Sequence, residues 1–264
     1  MPDDMMWRLL VFIGMLMTLA LLEAVLPWRL VAGRTQRWYR HLGLQVVALL
    51  LVKLALPITA LAAAAFAQTQ GLGLFQLVVL PGWLAFLLAL ILLDLSIYGQ
   101  HVLTHRWPLL WRLHRLHHSD RSFDVTTALR FHPLEIVLSM LWKVVVILAL
   151  GASLQAVFVF EVLLSSAALF NHANIKIAPA FDHWLRKLLV TPDMHRVHHS
   201  KIPSETNSNY GFFLPWWDWL FGTYRQASIH GDQLEIGLEN LGEQRDNTLP
   251  GMLLQPFRRA RVSQ

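Results

Sequence analysis

Long apolar runs constrain this chain more than any other feature. Runs with few charges cover about residues 6–26, 44–66 and 82–103, and shorter ones cover about 134–150 and 154–171. The first three approach the ~20 residues that a helix needs to cross ~30 Å of hydrocarbon. In lipid, backbone polar groups must be paired within the segment, which favours helices. We therefore expect an all-α integral membrane protein with about four or five membrane-inserted helices.

Composition supports this class and excludes others. The chain is 55% hydrophobic and only 15% charged, too apolar for an ordinary soluble domain. It has no cysteine, which excludes disulfides, thiolate metal sites and cysteine-ligated iron–sulfur clusters. The net charge of +5 could indicate nucleic acid, but the arginines flank apolar runs, where they suit anionic lipid headgroups. Membrane lipids, and not nucleic acid, are the expected contact.

Two details refine the membrane prediction. The first run could be mistaken for a signal peptide, but acidic residues precede it in place of a basic start. Between the last two runs, Gly151–Ser153 predicts the turn of a helical hairpin that either crosses the bilayer or dips into it. Lys143 and Glu161 lie about equally far from this turn. Because an unpaired charge in lipid costs several kcal/mol, we expect these two side chains to pair.

Arginine placement predicts the orientation. The segment 27–43 carries four arginines, the segment 67–74 carries no charge, and the segment 104–133 carries five arginines. Arginine-rich segments stay in the cytoplasm. The N-terminus is then extracytoplasmic, and the predicted location is the cell inner membrane.

Eight of the thirteen histidines lie in three clusters: His101-x-x-x-His105, His114-x-x-His117-His118 and His195-x-x-His198-His199. Residues three and four apart share a helix face, so each cluster directs its imidazoles towards one point. Neutral imidazole binds iron, zinc, copper or nickel. Eight ligands exceed one four-coordinate zinc, so we expect two metal ions. All three clusters fall on the predicted cytoplasmic side, in a helical cap.

The remaining histidines receive separate predictions. His172 lies at the end of the hairpin that returns to the clusters, and we expect it to be a ninth ligand. His41, His183 and His230 are expected to be surface residues. His132 precedes a proline at the start of the hairpin, which favours capping or pocket lining over ligation.

Several other residues near the clusters also receive predictions. Asp94 lies two helical turns before His101, which argues against direct ligation. Asp193 and Asn209 are expected to orient imidazole N–H groups. Five aromatic residues are expected to lie at the membrane interface: Phe212, Phe213, Trp216, Trp217 and Trp219.

The motifs extend beyond the histidines. They are Asp94-x-x-x-Tyr98-x-x-His101-x-x-x-His105-Arg106, Leu113-His114-x-x-His117-His118-Ser119, Ala128-Leu129-Arg130-x-His132-Pro133-x-Glu135, Thr191-Pro192-x-x-His195-Arg196-Val197-His198-His199-Ser200, Asn209-Tyr210-Gly211 and Trp217-Asp218-x-x-Phe221-Gly222-Thr223-Tyr224. In these motifs the chain resembles the fatty acid hydroxylase / sterol desaturase superfamily of integral membrane non-haem di-iron oxygenases. The resemblance covers about residues 90–225.

The resemblance implies ligands and a cofactor. It implies that the eight cluster histidines bind two iron ions, and His172 matches an extra histidine often found before the last cluster. Some members carry another histidine four residues later, where this chain has Lys176. One iron is then expected to have fewer protein ligands. No residue is assigned a catalytic role beyond ligation.

The resemblance also implies an activity: hydroxylation or desaturation of an unactivated C–H bond in a lipid (sterol, fatty acyl or related), with O2 and external electrons. The implied electron donor is a ferredoxin- or cytochrome b5-like protein with its reductase. Four basic residues near the clusters could dock an acidic carrier or bind lipid headgroups: Arg112, Arg115, Arg196 and Lys201.

Other readings stay open on the residues alone. A membrane zinc hydrolase could use the same histidines, although no glutamate lies within a cluster as in His-Glu-x-x-His. A metal-binding carrier or a bis-histidine haem protein would be non-enzymatic. The chain is predicted to divide into N-terminal transmembrane helices at 1–80, a catalytic region at 81–225, and a tail at 226–264 to which no chemistry is assigned.

Overall fold

The computed structural model describes residues 2–241 and 244–258, and this part of the chain is helical, with only isolated β-bridges besides. The all-α prediction is confirmed. The helices are α1 (Pro2–Val25), α2 (Arg34–Ala55), α3 (Ala60–Gln70), α4 (Leu74–Leu77), α5 (Gly82–Arg106), α6 (Pro108–His118), α7 (Pro133–Leu150), α8 (Leu154–Asn171), α9 (Pro179–Leu185), α10 (Pro192–His198), α11 (Pro203–Thr206), α12 (Trp216–Leu220) and α13 (Leu249–Leu254).

Within the described residues, five segments are long and apolar enough to cross a membrane, in agreement with the four or five that were predicted. The prediction of one continuous span at 44–66 is wrong, because two helices share this segment. Helix α2 begins ten residues earlier and ends at Ala55, and α3 begins at Ala60. Pro57 lies between them and has no N–H to continue the ladder, while Thr59 caps α3 by accepting from the Ala62 amide at 3.2 Å.

Small residues let the helices pack closely away from the histidines. Ala60, Ala63 and Ala64 of α3 are buried against Leu93 of α5 and Ile147 of α7. Small side chains allow the close approach that membrane helices need. The predicted hairpin turn is also present, since Gly151 adopts a φ of 65° between α7 and α8. The hairpin returns α8 to the end of the bundle where α5 finishes.

A buried carboxylate fixes that end of the bundle. Glu23, near the end of α1, accepts from the amides of Val125 and Asn174 at 2.6 and 2.7 Å and pairs with Arg34 at 2.6 Å. The described part of the tail packs there too. Met252 of α13 joins a small apolar cluster with residues of α2 and α6. The loops and short helices therefore form a cap over the ends of α1, α5 and α8.

Candidate metal centre

Nine histidines converge under this cap. Their ring nitrogens form two adjacent groups, and the candidate ligand atoms of each group lie within 4.8 Å of one another. The first group contains His101, His105, His114, His118 and His198, and the second contains His117, His172, His195 and His199. The fold thus brings together all nine positions selected from the sequence.

Helix geometry divides each His-x-x-His-His motif between the two groups. On α6, His114 and His118 are one turn apart and face the first group, whereas His117 faces the second. The motif of α10 is divided the other way: His195 and His199 face the second group, and His198 faces the first. The two groups adjoin directly, because the rings of His118 and His199 stack with centroids 4.4 Å apart. The two motifs therefore build one compact, two-part centre.

Two further elements complete the groups. His101 and His105 lie one turn apart at the end of α5 and both join the first group. His172 follows the last residue of α8 and joins the second. Thr191 caps the start of helix α10 by accepting from the Met194 amide at 3.5 Å.

The Nε2 atoms are spaced like ligands around an ion. The His101 Nε2 lies 3.2 Å from that of His114 and 3.1 Å from that of His198. In the second group the His172 Nε2 lies 2.9 Å from that of His195. Two nitrogens each about 2.1 Å from one metal ion at a right angle would be about 3 Å apart. The spacing therefore fits a shared ion in each group.

Three imidazoles are oriented by backbone carbonyls. Each donates its Nδ1 proton to a carbonyl oxygen, which leaves Nε2 free to bind a metal. The bonds run from His101 to Tyr210 at 2.8 Å, from His198 to Ser208 at 2.7 Å and from His172 to Ala168 at 2.7 Å. Because carbonyls belong to every residue, no sequence signal could have identified these partners.

A carboxylate orients a fourth imidazole. Glu135, in the first turn of α7, accepts from Nδ1 of His114 at 2.6 Å. Its other oxygen has no hydrogen-bond partner among the described residues, and Glu135 also lines a cavity. Glu135 belongs to one of the sequence motifs, but no role was predicted for it. The only sequence signal for such a role was its position three residues after His132 in that motif.

Several buried ring nitrogens lack partners within the described part of the chain. Both nitrogens of His199 and Nδ1 of His117, His118 and His195 are in this state. Buried polar atoms without a partner are rare in native proteins. A metal ion in the second group would bind one of the two unpartnered nitrogens of His199. Imidazole with a nearby carboxylate is a donor set that suits iron. The residues present therefore fit a di-iron centre.

Burial also holds imidazoles of the cap in the ligand form. It lowers the pKa of His198 to about 3 and that of His172 to about 4. Burial also lowers the pKa of His117, His195 and His199, and the neighbouring histidines lower it further. Neutral imidazole is the form that binds metal.

The loop that follows α11 is fixed by one aspartate. Asp218 accepts from the amides of Tyr210 and Gly211 at 2.8 and 2.7 Å, which holds the carbonyl that orients His101. A Cβ at Gly211 would lie 2.8 Å from Oδ2 of Asp218, so glycine fits this approach. Asp218 belongs to one of the sequence motifs, but no function was predicted for it.

The prediction of interfacial aromatics is wrong for two residues. Trp217 is buried and donates from Nε1 to Asp94 at 2.7 Å, which ties the loop to α5. Phe212 packs beside the first histidine group and lines the cavity. Trp216 and Trp219 are exposed, and their interfacial position stays a prediction. Only the fold distinguishes these rings, because all belong to one aromatic segment.

The predicted orienting roles of Asp193 and Asn209 are also wrong. Asp193 pairs with Arg196 on its own helix. Asn209 donates to the Met194 carbonyl at 3.0 Å and accepts from the Arg225 amide at 2.8 Å. Asn209 therefore acts on the backbone of the loop, and the carbonyls on either side of it meet the imidazoles.

The other histidines divide as follows. His41 is buried, with its Nδ1 2.8 Å from the Thr126 hydroxyl, so its surface prediction is wrong. His132 caps the start of α7, as predicted. His183 and His230 are exposed, also as predicted. Apolar periodicity could not reveal that His41 faces inward.

Two of the four basic residues suggested for docking a carrier are unavailable. Arg115 is buried and donates to the carbonyl of Gln255 at 2.9 Å, which holds the tail on α6. Arg196 is buried with its guanidinium 4.5 Å from the centre of the Trp28 ring. Both cations stabilise the cap instead.

A cavity of about 310 Å³ reaches the first histidine group from within the bundle. His101 and His114 line it, as do Arg8, Lys143 and Glu161. Its walls are largely apolar, formed by Phe12, Leu49, Ile97, Leu129, Phe131, Ile136, Met140, Leu164 and Phe212. It therefore connects the histidines to the interior of the membrane-spanning region.

The apolar helices and the histidine centre indicate a membrane protein with a candidate metal site. Comparison with known proteins gives the family: the fatty acid hydroxylase profile matches residues 86–223, and the chain belongs to this family. The resemblance identified from the motifs is thereby confirmed. No solved structure matches the chain.

Similar proteins carry oxidoreductase names. The chain is 28% identical to ornithine lipid hydroxylase OlsE of Rhizobium tropici over 83% of this chain and 67% of the relative. It is 32% identical to alkylglycerol monooxygenase of Danio rerio, over 59% of this chain and 32% of the relative. It is 27% identical to Delta(7)-sterol-C5(6)-desaturase of Nicotiana tabacum, over 54% of this chain and 52% of the relative. The predicted enzyme class agrees with these names.

Proposed function

We propose that this chain is a membrane-bound di-iron oxygenase that hydroxylates or desaturates an unactivated C–H bond of a lipid. The observation that carries the proposal is the cavity that joins the membrane-spanning helices to His101 and His114. Two iron ions held by the nine histidines would supply the O2 chemistry. The family membership and the hydroxylase, monooxygenase and desaturase relatives support this activity.

An outer groove supports a lipid substrate. It measures about 330 Å³, lies between α5 and α7, and is lined mainly by apolar residues on the lipid-facing surface, such as Trp107 and Leu138. Gln100, Thr104 and Glu135 line both this groove and the inner cavity. A lipid could therefore pass sideways from the bilayer to the histidines without crossing water.

The chain's own residues then have defined tasks. The apolar wall excludes water and positions the substrate chain. Glu135 accepts the Nδ1 proton of His114, and backbone carbonyls do the same for three other ligands. These bonds fix each ring so that its Nε2 faces the metal.

The metal centre needs a side of the membrane and a source of electrons. We assign the metal centre to the cytoplasmic side of an inner membrane, because the arginine-rich segments next to it are expected to stay in the cytoplasm. Because the 264 residues contain no cysteine for an iron–sulfur cluster, we assign the electrons to a separate ferredoxin- or cytochrome b5-like protein with its reductase.

Metal analysis and lipidomics test the function together. Protein purified in detergent should hold two irons per chain, whereas zinc or haem would support a hydrolase or a haem protein. Cells that express the intact chain should contain a lipid with one added oxygen or one added double bond. Cells that express His195→Ala should lack it, and His183→Ala, a change at an exposed histidine, should retain it. Unchanged lipids in cells with the iron-loaded protein and a reductase would contradict the oxygenase assignment.

A further inference from the structure

A cluster of three charges lies inside the membrane-spanning bundle. Glu161 of α8 binds the Lys143 ammonium through Oε1 and the Arg8 guanidinium through Oε2, each at 2.6 Å. The expected pairing of Lys143 with Glu161 is thus confirmed, and Arg8 joins it. Two cations share one carboxylate, so the cluster carries one excess positive charge.

Two of the three charges lie far from the ends of their helices, whereas Arg8 lies six residues after the start of α1 with its side chain 35% exposed. Lys143 lies ten residues into α7 from Pro133, and Glu161 lies ten residues before the end of α8. At 1.5 Å per residue both are about 15 Å from the histidine end, near the middle of a ~30 Å hydrocarbon layer. An excess cation at this depth costs several kcal/mol unless an anion neutralises it.

The two cations retain unused hydrogen-bond donors, and both residues line the cavity. Guanidinium has five N–H donors and ammonium has three. Among the described residues, Arg8 and Lys143 each make one hydrogen bond, to Glu161. All three charged residues line the cavity that also holds His101 and His114, and polar Gln45 and Ser165 line it as well. A purely hydrocarbon ligand would leave these groups unsatisfied.

We propose that Arg8 and Lys143 bind an anionic group, a carboxylate or a phosphate, of the lipid substrate. Glu161 positions both cations, and the anion neutralises their excess charge. Lys143 lies eight residues after Glu135 on α7, so the anion would lie about 12 Å from the imidazole of His114. The inference rests on the proposed function and adds a substrate class: a lipid whose anionic group lies about that far from the oxidised C–H bond.

Ligand binding to the intact, iron-loaded protein tests the subsite without turnover. The probes are palmitate, hexadecyl phosphate and the uncharged hexadecanol, each measured by displacement of a fluorescent fatty acid in detergent. The protein should bind at least one of the two anions at least tenfold more tightly than the alcohol. Arg8→Gln should remove most of this preference and leave the affinity for hexadecanol unchanged.

A matched variant separates binding from folding. Arg34→Gln breaks a pair of equal length, between Arg34 and Glu23 at 2.6 Å, in which the arginine is equally exposed but lies outside the cavity. It should keep the preference for the anion. Equal affinity of the intact protein for palmitate, hexadecyl phosphate and hexadecanol would overturn the subsite. So would an Arg8→Gln variant that binds all three probes more weakly by the same factor. Displacement of palmitate by inorganic phosphate would indicate a free-anion site and overturn the lipid assignment. Iron content and lipid products test the oxygenase separately.

Discussion

Oε1 of Glu135 lies 2.6 Å from Nδ1 of His114, so a carboxylate of α7 fixes a candidate ligand of α6. The negative charge makes the ring more basic at Nε2 and holds its orientation. This contact links the start of the hairpin to the histidine centre.

Glu135→Gln should therefore lower iron occupancy or turnover by about 10- to 100-fold, because the neutral amide no longer polarises the imidazole. Glu235→Gln is the control, since Glu235 pairs with Lys201 and contacts no histidine of the centre. Iron per chain, measured after dialysis against a weak chelator, checks the effect. Equal iron loss in both variants would deny Glu135 this role.

His172→Ala should remove one ligand of the second group and reduce bound iron below two per chain, with loss of oxygenase activity at normal membrane levels. No other histidine lies within ten residues of His172 in the sequence, so no close neighbour can replace it. His183→Ala changes an exposed histidine and should leave both quantities nearly intact. Full iron and full activity in His172→Ala would leave a site of eight histidines.

Asp218→Ala should destabilise the loop that orients His101. Two buried amides, of Tyr210 and Gly211, would lose their acceptor, at about 1–3 kcal/mol for each. We expect a lower thermal midpoint and partial iron loss, compared with Asp232→Ala at an exposed position. An unchanged midpoint would show that water replaces the carboxylate without penalty.

Acid should destabilise the metal-stripped protein. Burial lowers the pKa of His172 to about 4 and of His198 to about 3, whereas unfolded histidine titrates near 6.5. Between about pH 6.5 and 4 the unfolded chain binds more protons than the folded one, so stability falls as pH falls. After iron removal by a chelator, the thermal midpoint should be lower at pH 5.5 than at pH 7.5. A midpoint independent of pH over this range would contradict the buried, neutral imidazoles.

Topology can be measured independently of activity. Reporter fusions after residues 35, 70 and 120 should read inside, outside and inside, because arginines are concentrated in the first and third segments. An outside signal at 120 would place the histidine centre on the extracytoplasmic face and refute the proposed orientation.

Sequence periodicity was most informative where the physics is local. The hairpin helices match the predicted 134–150 and 154–171 within a residue, because apolar length and a glycine turn define them. The span at 44–66 failed since hydropathy averages over Pro57, which interrupts the backbone ladder. Spacing of four residues correctly paired the histidines that share a group within one helix. The expectation that each cluster directs all its imidazoles towards one point is wrong for the two His-x-x-His-His motifs, because His117 and His198 face the other group.

Only tertiary structure decided how those faces combine. The division of each His-x-x-His-His motif between two groups depends on how α6 and α10 cross, which spacing within one helix cannot specify. Tyr210 and Ser208 accept from the imidazoles of His101 and His198 through their backbone carbonyl oxygens. Because every residue type has this oxygen, only the path of the loop determines these roles. Arg8 meets Glu161 across 153 residues, and a contact so distant in sequence arises only when α1 packs on α8.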